Sequence, residues 1–362
     1  MENQQPKRIL ALDGGGIRGA LTLGFLERIE SILREREKNP NLLLCDYFDL
    51  IGGTSTGAII AAGLSIGMTA GEMKDLYLGI GDKIFGKKYS LLFNFFKRSR
   101  AKFDFQPLED ALADVFGDIT MGSDKIKTNL CIVTKRADTL STWPIINNPK
   151  GKYFNHNKGM LLRKVVRASA AAPSYFVPQK IDVGFGETGA FIDGGVSLAN
   201  NPAFQLFLVA TLKGFNYGWE TGADKLSILS LGTGTYTKRY NPDKIAKKNL
   251  LGWAAMIPEI FMEDANYLNQ TILQYLSRSP RPRVIDSEIG DLKDDLLTPE
   301  PALSYIRYNV LLQENELNEL DMNFSQAELE SLREMSDAKN KDVLYEIGAK
   351  AAAKYIDPEH IL

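Results

Sequence analysis

Short apolar runs alternate along the chain with longer segments in which apolar residues recur every three or four positions. Short continuous runs are typical of strands buried in a parallel sheet, and the longer period is typical of helices that cover such a sheet. We predict strands at residues 8–12, 47–51, 129–134, 191–192 and 226–231. We predict a first helix at 19–37, because Phe25, Ile29 and Leu33 fall on one side of a helix.

Capping residues and prolines set the limits of later helices. Thr69 and Glu72 form a capping box that predicts the start of one helix, and Pro107 predicts the start of another. Pro173 ends a further helix, which is predicted at 161–170. Helices that alternate with strands in this way predict an α/β fold with a mostly parallel central sheet, covered by helices on both faces.

This alternation ends near residue 235, and the rest of the chain is rich in helices and loops. One helix is predicted at 253–275 and one further strand at 305–312. We therefore predict a core at 7–235 and a helical C-terminal extension at 236–362 that packs on the same domain.

The composition is that of an ordinary globular protein, with 44% hydrophobic residues, 24% charged residues and a net charge of −2. This balance gives no general attraction to nucleic acid, so no nucleic-acid partner is expected. No apolar run approaches the ~20 residues that span a bilayer, and the N-terminus has no secretory apolar core. We expect a cytoplasmic protein that meets a membrane only at its surface.

The chain contains two histidines and two cysteines. A structural zinc site usually combines about four such ligands, and a disulfide framework needs several cysteine pairs. We therefore expect no metal site and no cofactor.

A glycine-rich turn follows the first predicted strand. Gly14, Gly16 and Gly19 have the spacing G-x-G-x-x-G between a strand and a helix. Such a turn directs backbone N–H groups at an anion beside a helix N-terminus. The anion is either the pyrophosphate of a dinucleotide or the oxyanion of an acyl-transfer intermediate.

A second turn has the composition of a nucleophile elbow. Residues 53–57 read GTSTG and lie between a predicted strand and an apolar helix, which is the context that this motif requires. The small flanking residues permit a sharp turn, and the helix N-terminus favours an alkoxide. Ser55 is therefore the candidate nucleophile.

A serine nucleophile needs a group that takes its proton. His156 lies in a polar loop and His360 lies close to the C-terminus, so neither position indicates a shielded base. Asp193 follows a predicted strand and precedes two glycines, and a carboxylate shielded from water can act as a base because its pKa rises. A Ser55–Asp193 dyad is the first hypothesis. An α/β-hydrolase triad that adds His360 is the alternative, in the chain order typical of that fold.

Five blocks of sequence together resemble the patatin-like phospholipase family. They are DGGGIRG at 13–19, GTSTG at 53–57, ASAAAPSYF at 168–176, DGG at 193–195 and LSLGTGT at 229–235. The resemblance implies that residues 7–235 are a catalytic core. It implies a calcium-independent lipid acyl hydrolase that cleaves ester bonds of glycerophospholipids at a membrane surface.

The resemblance also implies roles for single residues. By it, Ser55 attacks the ester, Asp193 acts as the base, and Arg18 braces a loop whose backbone amides hold the oxyanion. The length and the C-terminal extension are similar to those of bacterial patatin-like effectors that a cyclic nucleotide switches on in antiphage defence, which makes a cyclic nucleotide a candidate activator. The amides of the loop are those of Gly14, Gly15 and Gly16.

A basic and aromatic segment spans residues 83–102, with seven Lys or Arg residues and no Asp or Glu. Basic residues interleaved with aromatic ones indicate contact with an anionic membrane surface or with a nucleotide. A solvated loop above core aromatics is the third interpretation. The candidate contacts are Lys97, Arg98, Arg100 and Lys102.

Two further hypotheses involve no hydrolysis. A dinucleotide-binding protein would use Gly14, Gly16 and Gly19 and would leave Ser55 inert. A nucleotide-responsive binding module would likewise lack a reactive serine. Labelling by a fluorophosphonate probe separates both from the hydrolases, because the probe reacts only with an activated serine.

Overall fold

In the computed structural model, the described residues are 5–85, 103–173, 175–237, 240–284, 290–292 and 294–361. The segment predicted to contact a membrane or a ligand, with Lys97, Arg98, Arg100 and Lys102, lies outside these ranges. The described residues form a mostly parallel sheet with hydrophobic cores on both faces. The predicted α/β fold is confirmed.

The central sheet is parallel in its middle and antiparallel at one side. In spatial order β2, β1, β7 and β9 run parallel, while β3 continues beyond β2 and pairs antiparallel with β4 and β6. The carboxyl ends of the parallel strands therefore meet at one edge of the sheet. The nine strands among the described residues are β1 (Lys7–Leu12), β2 (Leu50–Thr54), β3 (Asn129–Arg136), β4 (Ser141–Ile146), β5 (Gln179–Gly184), β6 (Glu187–Asp193), β7 (Leu226–Leu231), β8 (Ser277–Arg278) and β9 (Leu303–Tyr308).

Several strands differ from the predictions, including β3 and β6, which are longer than predicted, and β8, which was not predicted. Strand β2 begins at Leu50 and not at the predicted residue 47, because Leu44–Tyr47 forms a short helix. Strand β9 begins two residues earlier than predicted and ends at Tyr308. Strands β4 and β5 were not predicted, since β4 contains Pro144, which is uncommon within strands, and β5 has only two buried residues.

Helices connect most of these strands. The capping box at Thr69 is confirmed, because its hydroxyl accepts from the Glu72 N–H at 3.1 Å and the Glu72 carboxylate accepts from the Thr69 N–H at 2.8 Å. The helices within the described ranges are α1 (Gly19–Arg36), α2 (Leu44–Tyr47), α3 (Thr56–Ser65), α4 (Ala70–Phe85), α5 (Gln106–Phe116), α6 (Phe154–Asn157), α7 (Leu162–Ser169), α8 (Ala203–Thr211), α9 (Pro242–Ala246), α10 (Leu250–Tyr275), α11 (Glu314–Asn318), α12 (Gln326–Arg333) and α13 (Lys341–Tyr355).

Strand β1 shows why the central strands read as continuous apolar runs. Its Leu10 and Leu12 belong to the core beneath α1, α3 and α4, whereas Ile9 and Ala11 belong to the core beneath α8. Side chains alternate between the faces of a strand. Every position is therefore apolar when both faces are covered.

Residues beyond 235 complete the same sheet. Strand β9 pairs with β7, and α13 packs against α1. The two helices approach closely at Gly348, where an added Cβ would lie 2.0 Å from the Leu21 carbonyl oxygen. Within the described ranges, no helix combines the length and apolar character needed to cross a membrane.

Candidate active site

Ser55 lies in the sharp turn between β2 and α3. Its backbone has φ 56° and ψ −120°, a conformation that a serine adopts only where its surroundings enforce it. The flanking glycines permit this turn, because an added Cβ on Gly53 would lie 2.1 Å from the Gly57 carbonyl oxygen. The turn therefore has the strand–turn–helix context of a nucleophile elbow.

Hydrogen bonds hold the backbone of this turn in place. The Ser55 N–H donates to Ser169 Oγ at 2.8 Å, and that hydroxyl donates to the Val133 carbonyl at 2.7 Å. On the other side, Thr54 Oγ1 donates to the Ala199 carbonyl at 2.6 Å. The turn is thus fixed to β3 and α7, which keeps its strained residue in one conformation.

The register of the sheet brings Asp193 to the same level as Ser55. Thr54, the last residue of β2, pairs with Val133 in β3, and the next residue, Thr134, pairs with Asp193 at the end of β6. Strand β6 runs antiparallel to β3, so it enters from the carboxyl edge and ends beside the elbow. The structure therefore brings together the two residues that the sequence proposed as nucleophile and base.

The Asp193 carboxylate is buried, with 5% exposure. It lies close enough to the Ser55 side chain for that group to influence its pKa, and it accepts a hydrogen bond from the Gly195 N–H at 2.7 Å. Burial raises the pKa of Asp193 to about 6, while the Ser55 side chain and the Gly195 N–H act in the opposite direction and lower it. A carboxylate with this pKa is ionised at neutral pH and is a stronger base than an exposed one.

The glycine loop contacts the elbow but differs from the prediction at one residue. An added Cβ on Gly14 would lie 3.2 Å from Ser55 Cβ, so the loop lies against the candidate nucleophile. The Gly14 N–H, however, donates to the Asn200 carbonyl at 3.0 Å. That amide is already occupied, which corrects the expectation that it holds an oxyanion. The N–H groups of Gly15 and Gly16 have no acceptor among the described residues.

Two hydroxyl groups fix the far end of this loop. Thr56 Oγ1 donates to the Gly16 carbonyl at 2.9 Å, and the Tyr77 hydroxyl donates to the same oxygen at 2.5 Å. The following N–H, that of Ile17, donates to the Met335 carbonyl at 2.9 Å. The loop is therefore attached to α3, to α4 and to the C-terminal part of the chain.

Arg18 does not brace the loop as predicted. Its side chain forms no hydrogen bond with a described residue, and its Nε is buried. The arginine that supports the loop is Arg307 in β9, whose guanidinium donates to both carboxylate oxygens of Asp13, at 3.2 and 2.6 Å. Both partners are buried, and Asp13 directly precedes the three glycines.

A cavity of about 420 Å³ opens onto Ser55 and Asp193. Its wall away from these residues is mostly apolar and comes from α3, α4 and the segment after α7. Its polar end contains the glycine loop, so a ligand that enters would place an uncharged tail against the apolar wall. Its apolar residues include Ile59, Ile80, Ile84, Pro173 and Phe176, together with Leu108 of α5.

Neither histidine lies in this cavity. His360 lies at the opposite edge of the sheet, where the parallel strands begin, in a small cavity that it shares with Phe48, which precedes β2. His156 packs against the Phe185 ring, with 4.2 Å between the ring centroids. In the described part of the chain, no group of three or more His, Cys, Asp or Glu side chains is arranged to hold a metal ion.

Comparison with known proteins places this site in a family. The family model described as "Patatin-like phospholipase" matches residues 10–207, which include the glycine loop, the elbow and Asp193. The chain belongs to the patatin-like phospholipase family. The match ends before β7, β8 and β9, so part of this patatin-like sheet lies beyond the region that the family model covers.

Individual relatives extend the comparison. A protein of Vibrio cholerae named "cGAMP-activated phospholipase" is 35% identical over 204 residues, which are 54% of this chain and 56% of that protein. A protein of Escherichia coli with the same name is 30% identical over 250 residues, 68% of this chain and 67% of that protein. Patatin-T5 of Solanum tuberosum is 26% identical over 378 residues, 96% of this chain and 89% of its own. This chain thus spans little more than half of the Vibrio relative.

Sequence reasoning missed the residues that hold the site together. Tyr77, Ser169 and Asn200 contact the elbow or the glycine loop through hydrogen bonds, and Arg307 contacts Asp13. Ser169 lies within one of the blocks that resemble the family, so it alone had a sequence signal. The others come from distant segments whose proximity only the fold creates.

Proposed function

We propose that this protein is a lipid acyl hydrolase that cleaves ester bonds of glycerophospholipids with a Ser55–Asp193 dyad. The observation that carries the proposal is that the buried Asp193 carboxylate and Ser55 lie beside each other in one cavity. In the first step, Ser55 Oγ attacks the ester carbonyl carbon while its proton passes to Asp193. When the intermediate collapses, the leaving alcohol takes that proton and an acyl-enzyme remains.

A water molecule then completes the reaction. Asp193 accepts a proton from this water, whose oxygen attacks the acyl carbon and releases the fatty acid with Ser55 regenerated. The negative oxygen of both tetrahedral intermediates would accept hydrogen bonds from the Gly15 and Gly16 N–H groups, which lack other acceptors among the described residues. The N-terminus of α3, directly after Ser55, favours the same charge.

The apolar cavity wall supports an acyl substrate. A cavity of about 420 Å³ lies within the range of 300–1,000 Å³ that is typical of small-molecule sites. Its apolar side chains would cover part of an acyl chain, and each buried methylene group contributes about 0.8 kcal/mol. This geometry favours long acyl esters over acetyl esters.

Substitution of Ser55 by alanine tests the proposed function. Ser55→Ala is expected to abolish hydrolysis of p-nitrophenyl acyl esters and of phospholipid, and to abolish labelling by a fluorophosphonate probe. Ser31→Ala, which removes an exposed hydroxyl on α1 that bonds only Glu35, is the matched control and is expected to leave both unchanged. A folded Ser55→Ala protein with wild-type turnover would overturn the assignment.

We also propose that α10 brings the enzyme to a lipid surface. Its outer face carries Leu250, Ile257, Phe261 and Leu268, which are exposed and spaced seven, four and seven residues apart along one side of the helix. The same helix contributes Met262, Glu263 and Asn266 to the wall of the Ser55 cavity. An exposed apolar stripe beside a cavity for acyl chains is suited to an interface between water and lipid.

Basic residues precede this stripe. Lys244 and Lys247 are exposed immediately before α10, and such residues attract anionic lipid head groups. The basic segment with Lys97, Arg98, Arg100 and Lys102 has the same chemistry and stays a prediction for lipid contact.

Activation by a cyclic nucleotide is the remaining part of the proposal. It is supported by the name that the Vibrio and Escherichia relatives carry, cGAMP-activated phospholipase. The test compares phospholipid turnover with and without cGAMP. Equal turnover in both would indicate a constitutive enzyme and would leave the Ser55–Asp193 assignment intact.

A further inference from the structure

A second cavity, of about 330 Å³, lies beside the one that contains Ser55. The two share part of their walls, including Arg18, Asn200 and Glu263. The second cavity extends from the glycine loop across the carboxyl ends of β7 and β9 to the segment that follows β8. The proposed reaction uses none of the residues that belong to this cavity alone.

Its lining carries an excess of positive charge. Four arginines line the cavity, against two carboxylates, Asp13 and Glu263. Asp13 is already paired with Arg307. In the described part of the chain the other three guanidinium groups form no ion pair and no side-chain hydrogen bond. They are those of Arg18, Arg281 and Arg283.

These unpaired cations are partly withdrawn from water. Burial lowers the pKa of Arg18 and of Arg283 from the ordinary arginine value. The Arg281 guanidinium carbon lies 4.7 Å from the centre of the Tyr355 ring and 5.4 Å from that of the Tyr308 ring, so aromatic contacts hold this group in place. Charged groups held this way, without a partner, are costly to a fold and are typical of sites that receive a ligand of the opposite charge.

The arginine segment is built into the fold. The Gln274 side chain accepts from the Arg283 N–H at 3.0 Å and donates to the Arg283 carbonyl at 3.0 Å. Gln274 is buried and belongs to α10, so the helix of the proposed lipid surface also fixes this arginine. The cavity is therefore formed before any ligand enters.

We propose that this second cavity binds a phosphodiester anion through Arg18, Arg281 and Arg283. Guanidinium groups match the tetrahedral oxygens of a phosphate and bind them in pairs of hydrogen bonds. A phosphodiester carries its charge throughout the physiological pH range. The inference rests on the proposed function, since both a phospholipid head group and a cyclic nucleotide contain this group.

A bound phosphodiester would act directly on the glycine loop. Asn200 and Thr233 line the second cavity, and both donate to the Gly14 carbonyl, at 3.3 and 3.0 Å. Arg307 lines it too and holds Asp13, the residue before Gly14. An anion that accepts hydrogen bonds from these groups weakens their bonds to the glycine loop, which faces Ser55. This makes the cavity suited to control of the proposed oxyanion site.

The test removes two arginines and leaves the catalytic cavity untouched. The variant Arg281→Gln/Arg283→Gln is compared with Arg278→Gln, a matched control from the same segment whose side chain is exposed and pairs with Asp224. Two measurements are made on each variant. Calorimetry gives the Kd for cGAMP. Kinetic assays compare the KM for a phosphatidylcholine with the KM for a monoacylglycerol of equal chain length. Turnover of a soluble p-nitrophenyl ester and circular dichroism report whether each variant is folded.

Each source of the phosphodiester gives a distinct result. If the ligand is a free nucleotide, the Kd for cGAMP rises at least about tenfold in the double variant. If it is the lipid head group, the KM for the phosphatidylcholine rises by a similar factor while that for the monoacylglycerol, which has no phosphate, stays constant. Either result supports the site.

Other results would overturn it. A folded double variant with wild-type values for both probes excludes a phosphodiester site here, as does an equal effect of Arg278→Gln. The single variants Arg281→Gln and Arg283→Gln carry the same test if the double variant does not fold. Because cGAMP binding is measured without turnover, failure of the Ser55 chemistry and failure of this site give different outcomes.

Discussion

At the scale of single residues, the buried carboxylate of Asp193 decides the proposed chemistry. Its place beside Ser55 in the cavity and its pKa of about 6 are the properties that a histidine supplies in a triad. His156 and His360 lie outside the Ser55 cavity. Among Asp193 and the two histidines, the candidates that the sequence offered as the base, only Asp193 lines this cavity.

Asp193→Asn is expected to lower kcat/KM for a soluble ester by about 10²–10⁴-fold, because the amide can hydrogen-bond Ser55 but takes no proton. In the wild-type enzyme, kcat/KM should rise with pH through about 6, as Asp193 loses its proton. The measurement is a pH–rate profile. His156→Ala and His360→Ala are the controls, and a loss in His360→Ala as large as in Asp193→Asn would restore the triad.

The same substitution is expected to stabilise the folded protein at neutral pH. The pKa of Asp193 in the folded state, about 6, exceeds its ordinary value of 3.8. Protonation therefore favours folding below the ordinary value, and this contribution is lost as pH rises through 6. At pH 7.5, Asp193→Asn should raise the free energy of unfolding by up to about 3 kcal/mol, and the gain should vanish near pH 4.

Urea unfolding at the two pH values measures this difference. Asp118→Asn is the control, because its side chain is 90% exposed and the substitution should have nearly the same effect at both pH values. An Asp193→Asn protein less stable than the wild type at pH 7.5 would contradict the burial argument.

The sequence brought forward the two proposed reacting residues more readily than the residues that hold them in place. Ser55 and Asp193 lie in short motifs in which the neighbouring residues must be small, so the local sequence is enough to indicate both residues. Arg307 and Tyr77 have no such signal, because their contacts with Asp13 and Gly16 join positions 294 and 61 residues apart. The occupied Gly14 amide was unpredictable for the same reason, since its acceptor is the backbone of Asn200.

At the scale of elements, α10 contributes to three structural features at once, which is unusual for a surface helix. One side lines the Ser55 cavity, its C-terminal part fixes Arg283, and its outer face exposes an apolar stripe to water. An exposed stripe of this length is costly in a protein that stays in solution, and it indicates a contact with another phase or partner.

Leu250→Ser/Phe261→Ser/Leu268→Ser is expected to weaken sedimentation with anionic vesicles by tenfold or more, because each large apolar side chain contributes about 1.5–3 kcal/mol when it leaves water. Turnover of a soluble short-chain ester should barely change, since the cavity itself is intact. The measurement is vesicle co-sedimentation beside a soluble-ester assay.

Leu140→Ser/Phe185→Ser provides the matched control, because these side chains are 77% and 84% exposed at the other end of the sheet, near β4 and β5. Equal loss of vesicle binding in the control would point to general hydrophobicity. Equal loss on both substrates in the α10 variant would point to a structural role for the stripe.

The elements that the sequence predicted well are those with local signals. The Thr69 capping box fixes a helix start by contacts within four residues, and β1 and β7 are buried on both faces. Strands β4 and β5 exist because β3 and β6 provide partners for them. Their own residues carry little preference, so a pattern in the sequence could not reveal them.

At the scale of the whole molecule, the C-terminal residues belong to the site as much as the motifs do. Strand β9 supplies Arg307, and the segment after α12 supplies the Met335 carbonyl that accepts from Ile17. The predicted division at residue 235 follows the limit of the motifs. It separates two parts that share one sheet.

Arg307→Met is expected to lower the free energy of unfolding by about 3–5 kcal/mol, because it leaves the Asp13 carboxylate buried without a partner. It should also lower ester turnover, since Asp13 precedes the glycine loop. The double variant Asp13→Asn/Arg307→Met should recover part of the stability. Urea unfolding in a double-mutant cycle measures the coupling, and additive losses would show that the two residues act independently.

The peptide unit between Gly16 and Ile17 has a consequence for the energy of charge development. Its carbonyl accepts from Thr56 and Tyr77, and its N–H donates to Met335, so neither end is free to rotate. In water, dipoles must turn toward a new negative charge, and that turning is part of the activation barrier. A loop whose dipoles are already fixed needs little such reorganisation. On the proposed mechanism, the cost of aligning the dipoles around the oxyanion is met when the chain folds, before any substrate arrives.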